Sequence, residues 1–174
     1  GFAMSGYGLG PGFFLVCIDY ERILREGARA IIDEAKECIK NLRYTSGDSI
    51  KKRNFWEAVI IVFEAWIRFV HRYADLAEKI AAEETDEVRR TELLEMSRIC
   101  RKVPEYPAEN FREALQSFWF TFLMAFPSPT TSAGRFDQYM FDMWNKTEDK
   151  NEARETLERL WESFHDCRVW NLCL

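Results

Sequence analysis

The sequence has 174 residues, of which 47% are apolar and 30% are charged, and this composition fits one soluble, well-packed domain. The formal charge is −5 and the basic residues are interleaved with acidic ones, so nucleic acid is not expected as a main partner. No run of about 18 apolar residues is present, so no membrane span is expected.

The cysteines and histidines are scattered along the chain. The cysteines are widely spaced, odd in number and form no CxxC pair: Cys17, Cys38, Cys100, Cys167 and Cys173. This pattern favours free thiols in a reducing compartment, so we expect a cytoplasmic protein. His71 and His165 each stand alone, so no metal site and no cofactor bound by this chain are expected.

Both ends of the sequence are unusual. Glycines recur in residues 1–12 without an initiator Met, and residues 169–174 form an apolar run without a polar tail. We therefore expect a fragment of a longer protein, in which residues 1–174 form part of one domain with no internal boundary.

The first predicted elements are a loop and a helix. Residues 1–18 are expected to form the loop, because repeated Gly and Pro oppose regular structure. Asp19 is expected to cap a helix that begins near Tyr20, since apolar residues then recur every three or four positions. A polar stretch at residues 45–48 ends this helix.

A second, long helix is predicted over residues 50–83. Over residues 55–70 it is apolar around most of its circumference, which indicates a helix that lies inside something larger. We therefore expect partner layers to be missing, so that Trp66 and Phe118 are not both covered by this chain alone in a closed bundle.

The remaining predicted elements are also helical. Pro104 and Pro107 separate a polar helix from a strongly apolar one. The predicted helices cover residues 85–100, 107–125, 136–145 and 148–164, and a polar loop covers residues 127–134. No internal repeat is present, and the predicted fold class is mainly α.

Six short segments of the chain resemble segments of a known protein family, both in amino-acid sequence and in their order along the chain. They read DYERILREG from residue 19, RYADLA from 72, RTELL from 90, CRKVP from 100, FREALQSFWF from 111 and SAGRFDQYM from 132. Together they resemble the glycyl radical enzymes, the pyruvate formate-lyase-like superfamily. The last segment is the most specific of the set.

The resemblance implies a fold and a chemistry for the parent enzyme. The family builds a ten-stranded α/β barrel around a thiyl-radical cysteine loop and a glycyl-radical loop, and this chain would be a helical segment of it. Neither a GCxEP-type nor an RVxGY-type loop is present, so no catalytic residue is assigned and the chain alone is expected to be inactive.

For the parent, the resemblance implies radical C–C or C–X bond cleavage of a small organic substrate in anaerobic metabolism. The reaction would be of the formate-lyase, decarboxylase or dehydratase type. An iron–sulfur activase that uses S-adenosylmethionine would install the glycyl radical. The partners implied are this activase and the substrate, and a homo-oligomer is left open.

Two departures bear on the subgroup. Phe13, Phe14 and Leu15 occupy the region where family members carry a histidine before the DY pair. Residues 127–131 depart from the ExNGHSxS form of the diol and glycerol dehydratases, and this stretch is more similar to arylacetate decarboxylase-like members.

The polar loop supplies the candidate substrate-binding residues. By resemblance they are Ser128, Thr130, Ser132 and Arg135. The hydroxyls are alternatively caps for the helix that begins near residue 136. Gly134 permits a tight or left-handed turn, after which Arg135 can pair with a substrate carboxylate or with Asp137.

A set of polar residues within apolar helices is expected to be structural. Arg72, Glu113 and Gln116 are predicted to be buried with one another as partners, and Arg135, Asp137 and Gln138 are predicted to form a second buried pairing. The rival hypothesis for the whole chain is a stand-alone helical binding or scaffold protein without catalysis.

Overall fold

The structure is a computed structural model that describes residues 16–43, 47–125 and 131–166. Most of these residues are helical, which confirms the predicted mainly α class. In chain order the elements are β1 (Val16–Cys17), α1 (Tyr20–Lys40), α2 (Asp48–Glu83), α3 (Glu87–Lys102), α4 (Phe111–Ala125), β2 (Thr131–Ser132), α5 (Phe136–Tyr139), α6 (Phe141–Lys146) and α7 (Lys150–Asp166).

Most predicted helices agree with the structure to within a few residues. The predicted cap is confirmed, because the Asp19 side chain accepts a hydrogen bond from the Arg22 N–H at 3.0 Å. Helix α4 begins four residues later than predicted, since the Ala108 N–H donates to the Leu24 carbonyl instead of continuing a helix. The predicted helix over residues 136–145 is divided at Met140 into α5 and α6.

Helix α1 is broken in the middle, which the sequence analysis did not predict. Gly27 adopts φ 77° and ψ 164°, and the break frees two amides of α1. The Ala28 and Arg29 N–H groups donate to the carbonyls of Pro104 and Glu105, at 2.8 and 3.0 Å. The segment that follows α3 therefore docks into α1 through main-chain hydrogen bonds.

Two clusters of buried apolar side chains hold the helices together. One contains Phe111, Phe118 and Phe122 of α4 together with Phe164 of α7 and the first turn of α1. The other joins α1 and α2 with Cys100 of α3 and Phe120 of α4. Helix α4 thus contributes opposite faces to both clusters, and α2 packs against α1 and α3.

This chain covers both Trp66 and Phe118, so the part of the prediction that concerns these two side chains is wrong. Phe118 is fully buried and Trp66 is 4% exposed. The Trp66 Nε1–H also donates to the Phe120 carbonyl at 3.2 Å, which satisfies its polar atom within the core. The bundle is nevertheless not closed, since Phe55 and Val62 on another face of α2 are 60% and 52% exposed.

In the part of the chain that the structure describes, no helix is both long enough and apolar enough to span a membrane.

Candidate functional site

The predicted substrate-facing segment is joined to the start of α1 by a short parallel ladder. Strand β1 immediately precedes α1, and its residues Val16 and Cys17 pair with Thr131 and Ser132 of β2. The pairing brings two distant parts of the chain to one place. Residues 131–135 therefore lie beside the N-terminus of α1.

The turn after β2 is fixed by its own hydrogen bonds. Gly134 has φ 63°, so the predicted left-handed turn is confirmed. Its N–H donates to the Ser132 Oγ at 3.0 Å. The Tyr139 Oη donates to the Ala133 carbonyl at 2.7 Å, which ties α5 back onto the turn.

The four candidate substrate-binding residues have different positions. Ser128 and Thr130 lie outside the described residues. Ser132 is half-buried, and its hydroxyl serves the Gly134 turn, whereas helix α5 has no side-chain cap at its N-terminus. Arg135 is 76% exposed.

The predicted partner of Arg135 is found, but in an exposed position. Its Nε and Nη2 atoms each lie 3.3 Å from an Asp137 carboxylate oxygen. The Gln138 Nε2 donates to the same carboxylate at 2.8 Å. Arg135 and Gln138 hold the pKa of Asp137 below its usual value through these bonds. The pairing was predicted to be buried, and that part of the prediction is wrong.

Aromatic side chains pack against one another beside the turn at Gly134. The Tyr20 ring packs against Phe118 and Tyr139, with centroid distances of 4.9 and 5.6 Å. Phe136 lies 5.0 Å from Phe118 and 5.4 Å from Trp161. This packing gives the main chain of the turn a rigid, apolar support.

The second predicted polar group is not assembled as the sequence analysis expected. Glu113 is buried and Gln116 is half-buried, but Arg72 is exposed. The Glu113 carboxylate instead accepts hydrogen bonds from Lys102 Nζ at 2.8 Å and from Arg98 Nη2 at 3.3 Å. The prediction that Arg72 is buried with Glu113 is therefore wrong.

The environment of Glu113 acts on its ionisation in two directions. Burial alone would raise the pKa of Glu113. The carboxylate accepts hydrogen bonds from Lys102, the Glu109 N–H and Arg98, and these bonds outweigh burial, so the pKa is lowered. The carboxylate therefore stays ionised and ties the C-terminal end of α3 to the first turn of α4.

A further buried carboxylate was missed by sequence reasoning. Glu105 is buried and pairs with the Arg29 guanidinium, with Nε at 3.0 Å from its Oε1. The His71 Nε2 lies 3.3 Å from the other Glu105 oxygen, close enough for an ion pair but not aligned for a hydrogen bond. The signal available was the family-like segment CRKVP, whose continuation reaches Glu105.

Comparison with known proteins gives the family. The family model described as pyruvate formate lyase-like matches residues 10–171. The chain belongs to this family. It is 43% identical over 155 residues to an isethionate sulfite-lyase of Nitratidesulfovibrio vulgaris, covering 82% of this chain and 18% of that protein.

Similarity in structure supports the same membership. The glycerol-bound B12-independent glycerol dehydratase of Clostridium butyricum superposes with a TM-score of 0.84 at 38% identity, over 89% of this chain and 20% of that one. This chain therefore spans about a fifth of the length of its glycyl radical enzyme relatives, and the predicted helical segment of that fold is confirmed.

The comparisons do not single out the decarboxylase subgroup. Identity to the indoleacetate decarboxylase of Tractidigestivibacter scatoligenes is 32% over 142 residues, covering 77% of this chain and 16% of that protein. The sulfite-lyase and the glycerol dehydratase are both more similar in sequence than this.

The structure describes the side chains of two cysteines of this glycyl radical enzyme segment, Cys38 and Cys100. Cys100 is buried in the core between α1, α2 and α3, and burial raises its pKa to about 11. Cys38 is partly exposed near the end of α1. Among the described residues no cluster of side chains fit to hold a metal ion is present.

Proposed function

We propose that this chain is the helical, substrate-side part of a glycyl radical lyase that cleaves a carbon–heteroatom bond in a small organic substrate. The observation that carries the proposal is the 43% identity to a sulfite-lyase across most of the chain. The glycerol dehydratase supports it, because loss of water also breaks a bond from carbon to a heteroatom. Decarboxylation breaks a C–C bond and is the alternative reaction.

The role proposed for this chain is to present the segment 128–135 to substrate. An accepting hydroxyl such as that of Ser132 retains one O–H donor, which suits a substrate oxygen. Ser128 and Thr130 are proposed to contribute further hydroxyls. The exposed Arg135 guanidinium is proposed to bind an anionic group of the substrate by its two-pronged geometry.

The radical chemistry is proposed to reside in the rest of the parent enzyme. A thiyl radical abstracts a hydrogen atom from substrate and is regenerated from a glycyl radical, which a separate activase installs. The motifs of this sequence include neither loop, so the isolated chain is proposed to be inactive. The cysteine pattern supports a cytoplasmic enzyme.

A reconstituted reaction tests the proposal. The complete coding region that contains this sequence is expressed without oxygen together with a cognate activase, and the glycyl radical is measured by electron paramagnetic resonance. The radical protein is then offered isethionate, glycerol or indoleacetate, and released sulfite, aldehyde and carbon dioxide are measured. Residues 1–174 alone serve as the control.

Formation of the radical together with production of sulfite or aldehyde supports the proposed function. Absence of turnover by residues 1–174 supports the proposal that the isolated chain is inactive. Production of carbon dioxide alone favours the decarboxylase alternative. A complete coding region that forms no glycyl radical with any activase contradicts the proposed function and favours a helical scaffold.

A further inference from the structure

Helix α2 carries two apolar faces, and in the part of the chain that the structure describes only one of them is buried. The buried face contacts α1, α3 and α4, and contains Trp66, Ile67, Val70, Ala74, Ala77 and Ala81. The second face is exposed and contains Phe55, Ala58, Val62, Ala65, Phe69, Tyr73, Leu76 and Ile80. We call this second set the outer stripe.

The outer stripe has the spacing of a helix-packing surface. Its residues recur every three or four positions, which places them in one row along α2. The row runs from Phe55 to Ile80, and the 25 helical steps between them make it about 38 Å long. The small Ala58 and Ala65 alternate with the larger Phe55, Val62 and Phe69, leaving gaps into which side chains of a second helix fit.

Single exposed apolar residues are ordinary, but a continuous row of this length is not. Val62 and Leu76 are about half exposed. The Tyr73 ring lies 5.1 Å from Phe69 and 5.5 Å from Phe120 of α4, yet both Phe69 and Tyr73 remain more than a third exposed. The outer stripe is therefore arranged as a surface that a partner covers.

Charged residues follow one edge of the outer stripe. Arg68, Arg72 and Lys79 each stand immediately before a stripe residue, and all three are exposed. Glu57, Glu64 and Asp75 stand at equivalent positions, but Glu57 is paired with Arg53 and Asp75 with Arg101. In residues 16–43, 47–125 and 131–166 no carboxylate pairs with any of the three, whereas every arginine of α3 has a carboxylate partner. The unpaired edge includes Arg72, which belongs to the family-like segment RYADLA.

We propose that the outer stripe docks an amphipathic helix with an acidic edge, supplied by the part of the same polypeptide that lies outside these 174 residues. The length of the relatives supports this occupant, since this chain spans 18% of the sulfite-lyase and 20% of the glycerol dehydratase. The outer stripe meets the apolar side of that helix, and Arg68, Arg72 and Lys79 meet its carboxylates. The proposal rests on the proposed function only in taking this chain as part of a longer enzyme.

Matched substitutions in the complete, unactivated protein test the surface. Val62→Asp places a charge in the outer stripe, and Val88→Asp makes the same change at an exposed valine of α3. A charge buried without a partner destabilises a protein, so V62D is expected to lower the melting temperature by several degrees while V88D leaves it unchanged. Equal changes in both variants, or none in either, overturn the proposal.

Hydroxyl-radical footprinting of the wild-type complete protein gives a second test that does not depend on a variant folding. Oxidation of Phe55 in the outer stripe is expected to be several-fold slower than that of Phe141, because the two rings are equally exposed in the described residues, at 60% and 59%, and only Phe55 would be covered. Equal oxidation of the two rings overturns the proposal.

The footprint is repeated across a dilution series, with sedimentation used to follow the mass. Protection that persists in the monomer supports an occupant from the same polypeptide, whereas protection lost on dissociation identifies a second copy and overturns it. These measurements use unactivated protein, so loss of lyase activity does not affect them. A complete coding region no longer than this chain would instead contradict the proposed function.

Discussion

The Tyr20 Oη donates a hydrogen bond of 3.1 Å to the main-chain carbonyl of Ser132, which lies 112 residues further along the chain. Tyr139 makes the matching bond to the carbonyl of Ala133, and the two tyrosine rings stack with their planes 22° apart. Successive carbonyls of the candidate substrate-facing turn are thus fixed by a pair of stacked side chains. A shift of either ring would displace the turn.

We predict that Tyr20→Phe and Tyr139→Phe each weaken substrate binding in the complete enzyme. Each change keeps the ring and removes one hydrogen bond, which costs about 1 kcal/mol of stability and loosens the turn. The expected result is a higher KM and a lower kcat/KM for whichever substrate the enzyme turns over. Tyr106→Phe, at an exposed position, is the control. Kinetics identical to that control in both variants would show that the turn does not position substrate.

The sequence predicted the local chemistry of this turn better than its long-range support. A tight or left-handed turn was predicted at Gly134, and Asp137 was one of the two carboxylate partners predicted for Arg135, because both features depend on residues a few positions apart. The bonds from Tyr20 and Tyr139 depend on the packing of α1 and α5 around Phe118. No pattern in a single sequence specifies such contacts.

The same limit explains the error about Arg72. Arg72, Glu113 and Gln116 were predicted to be polar groups that are buried within apolar helices and need partners. In the structure Glu113 is reached by Lys102 and Arg98, because α3 and α4 meet at the Glu109–Glu113 turn. Arg72 faces outward on α2 instead. Helical periodicity shows on which face of a helix a residue lies, but it does not show which element packs against that face.

Gly27 gives a sharp prediction about stability. A Cβ at this position would lie 2.5 Å from the Glu105 carbonyl oxygen and 2.8 Å from Tyr106, and the backbone is in a region open mainly to glycine. Gly27→Ala is therefore expected to destabilise the protein by about 2 kcal/mol or more, since strain and clash add.

A matched control exists at Gly47, where φ is −60° and a Cβ would meet nothing within 4 Å. Gly47→Ala is expected to leave stability unchanged or to raise it slightly. Thermal unfolding of both variants of the complete protein measures the difference. Equal melting temperatures for the two variants would contradict the inferred docking of residues 104–106 against α1.

Glu113 is predicted to make the folding stability of the protein depend on pH. Burial raises the folded-state pKa of Glu113, but hydrogen bonds from Lys102, Arg98 and the Glu109 N–H outweigh it and hold the pKa below the ordinary value of 4.5. As the pH falls, the unfolded state therefore binds a proton at Glu113 before the folded state does. Its stabilising contribution is therefore complete above about pH 5 and is lost as the pH falls below about 4.5 through the folded-state pKa.

Glu113→Gln tests this dependence, because it removes the charge and keeps the shape. The variant is expected to lose about 1–3 kcal/mol at neutral pH, and its deficit should shrink as acid protonates the wild type. Melting temperatures from pH 3 to pH 7 provide the comparison. Glu152→Gln removes an exposed carboxylate 3.9 Å from Arg112 and is expected to change little. A deficit for E113Q that is constant with pH would mean that the charge is not what matters.

Cys100 offers a test that separates a core thiol from a radical carrier. With its pKa raised to about 11 by burial, only about one molecule in a thousand carries the thiolate near pH 8, and the side chain is enclosed by α1 and α2. Iodoacetamide is therefore expected to label Cys100 slowly in the native complete protein, more slowly than the partly exposed Cys38, and both at similar rates after unfolding. Peptide mass spectrometry resolves the two sites.

The corresponding variant addresses function directly. Cys100→Ala removes a small part of the core and is expected to lower the melting temperature modestly, while the activated enzyme keeps both its glycyl radical signal and its turnover. A thiyl carrier must contact substrate, whereas Cys100 is 2% exposed and lies in one apolar cluster with Ile23, Ile32 and Val70. If C100A folds and forms the glycyl radical but turns over no substrate, Cys100 takes part in the reaction, and the placement of the thiyl loop outside this chain is wrong.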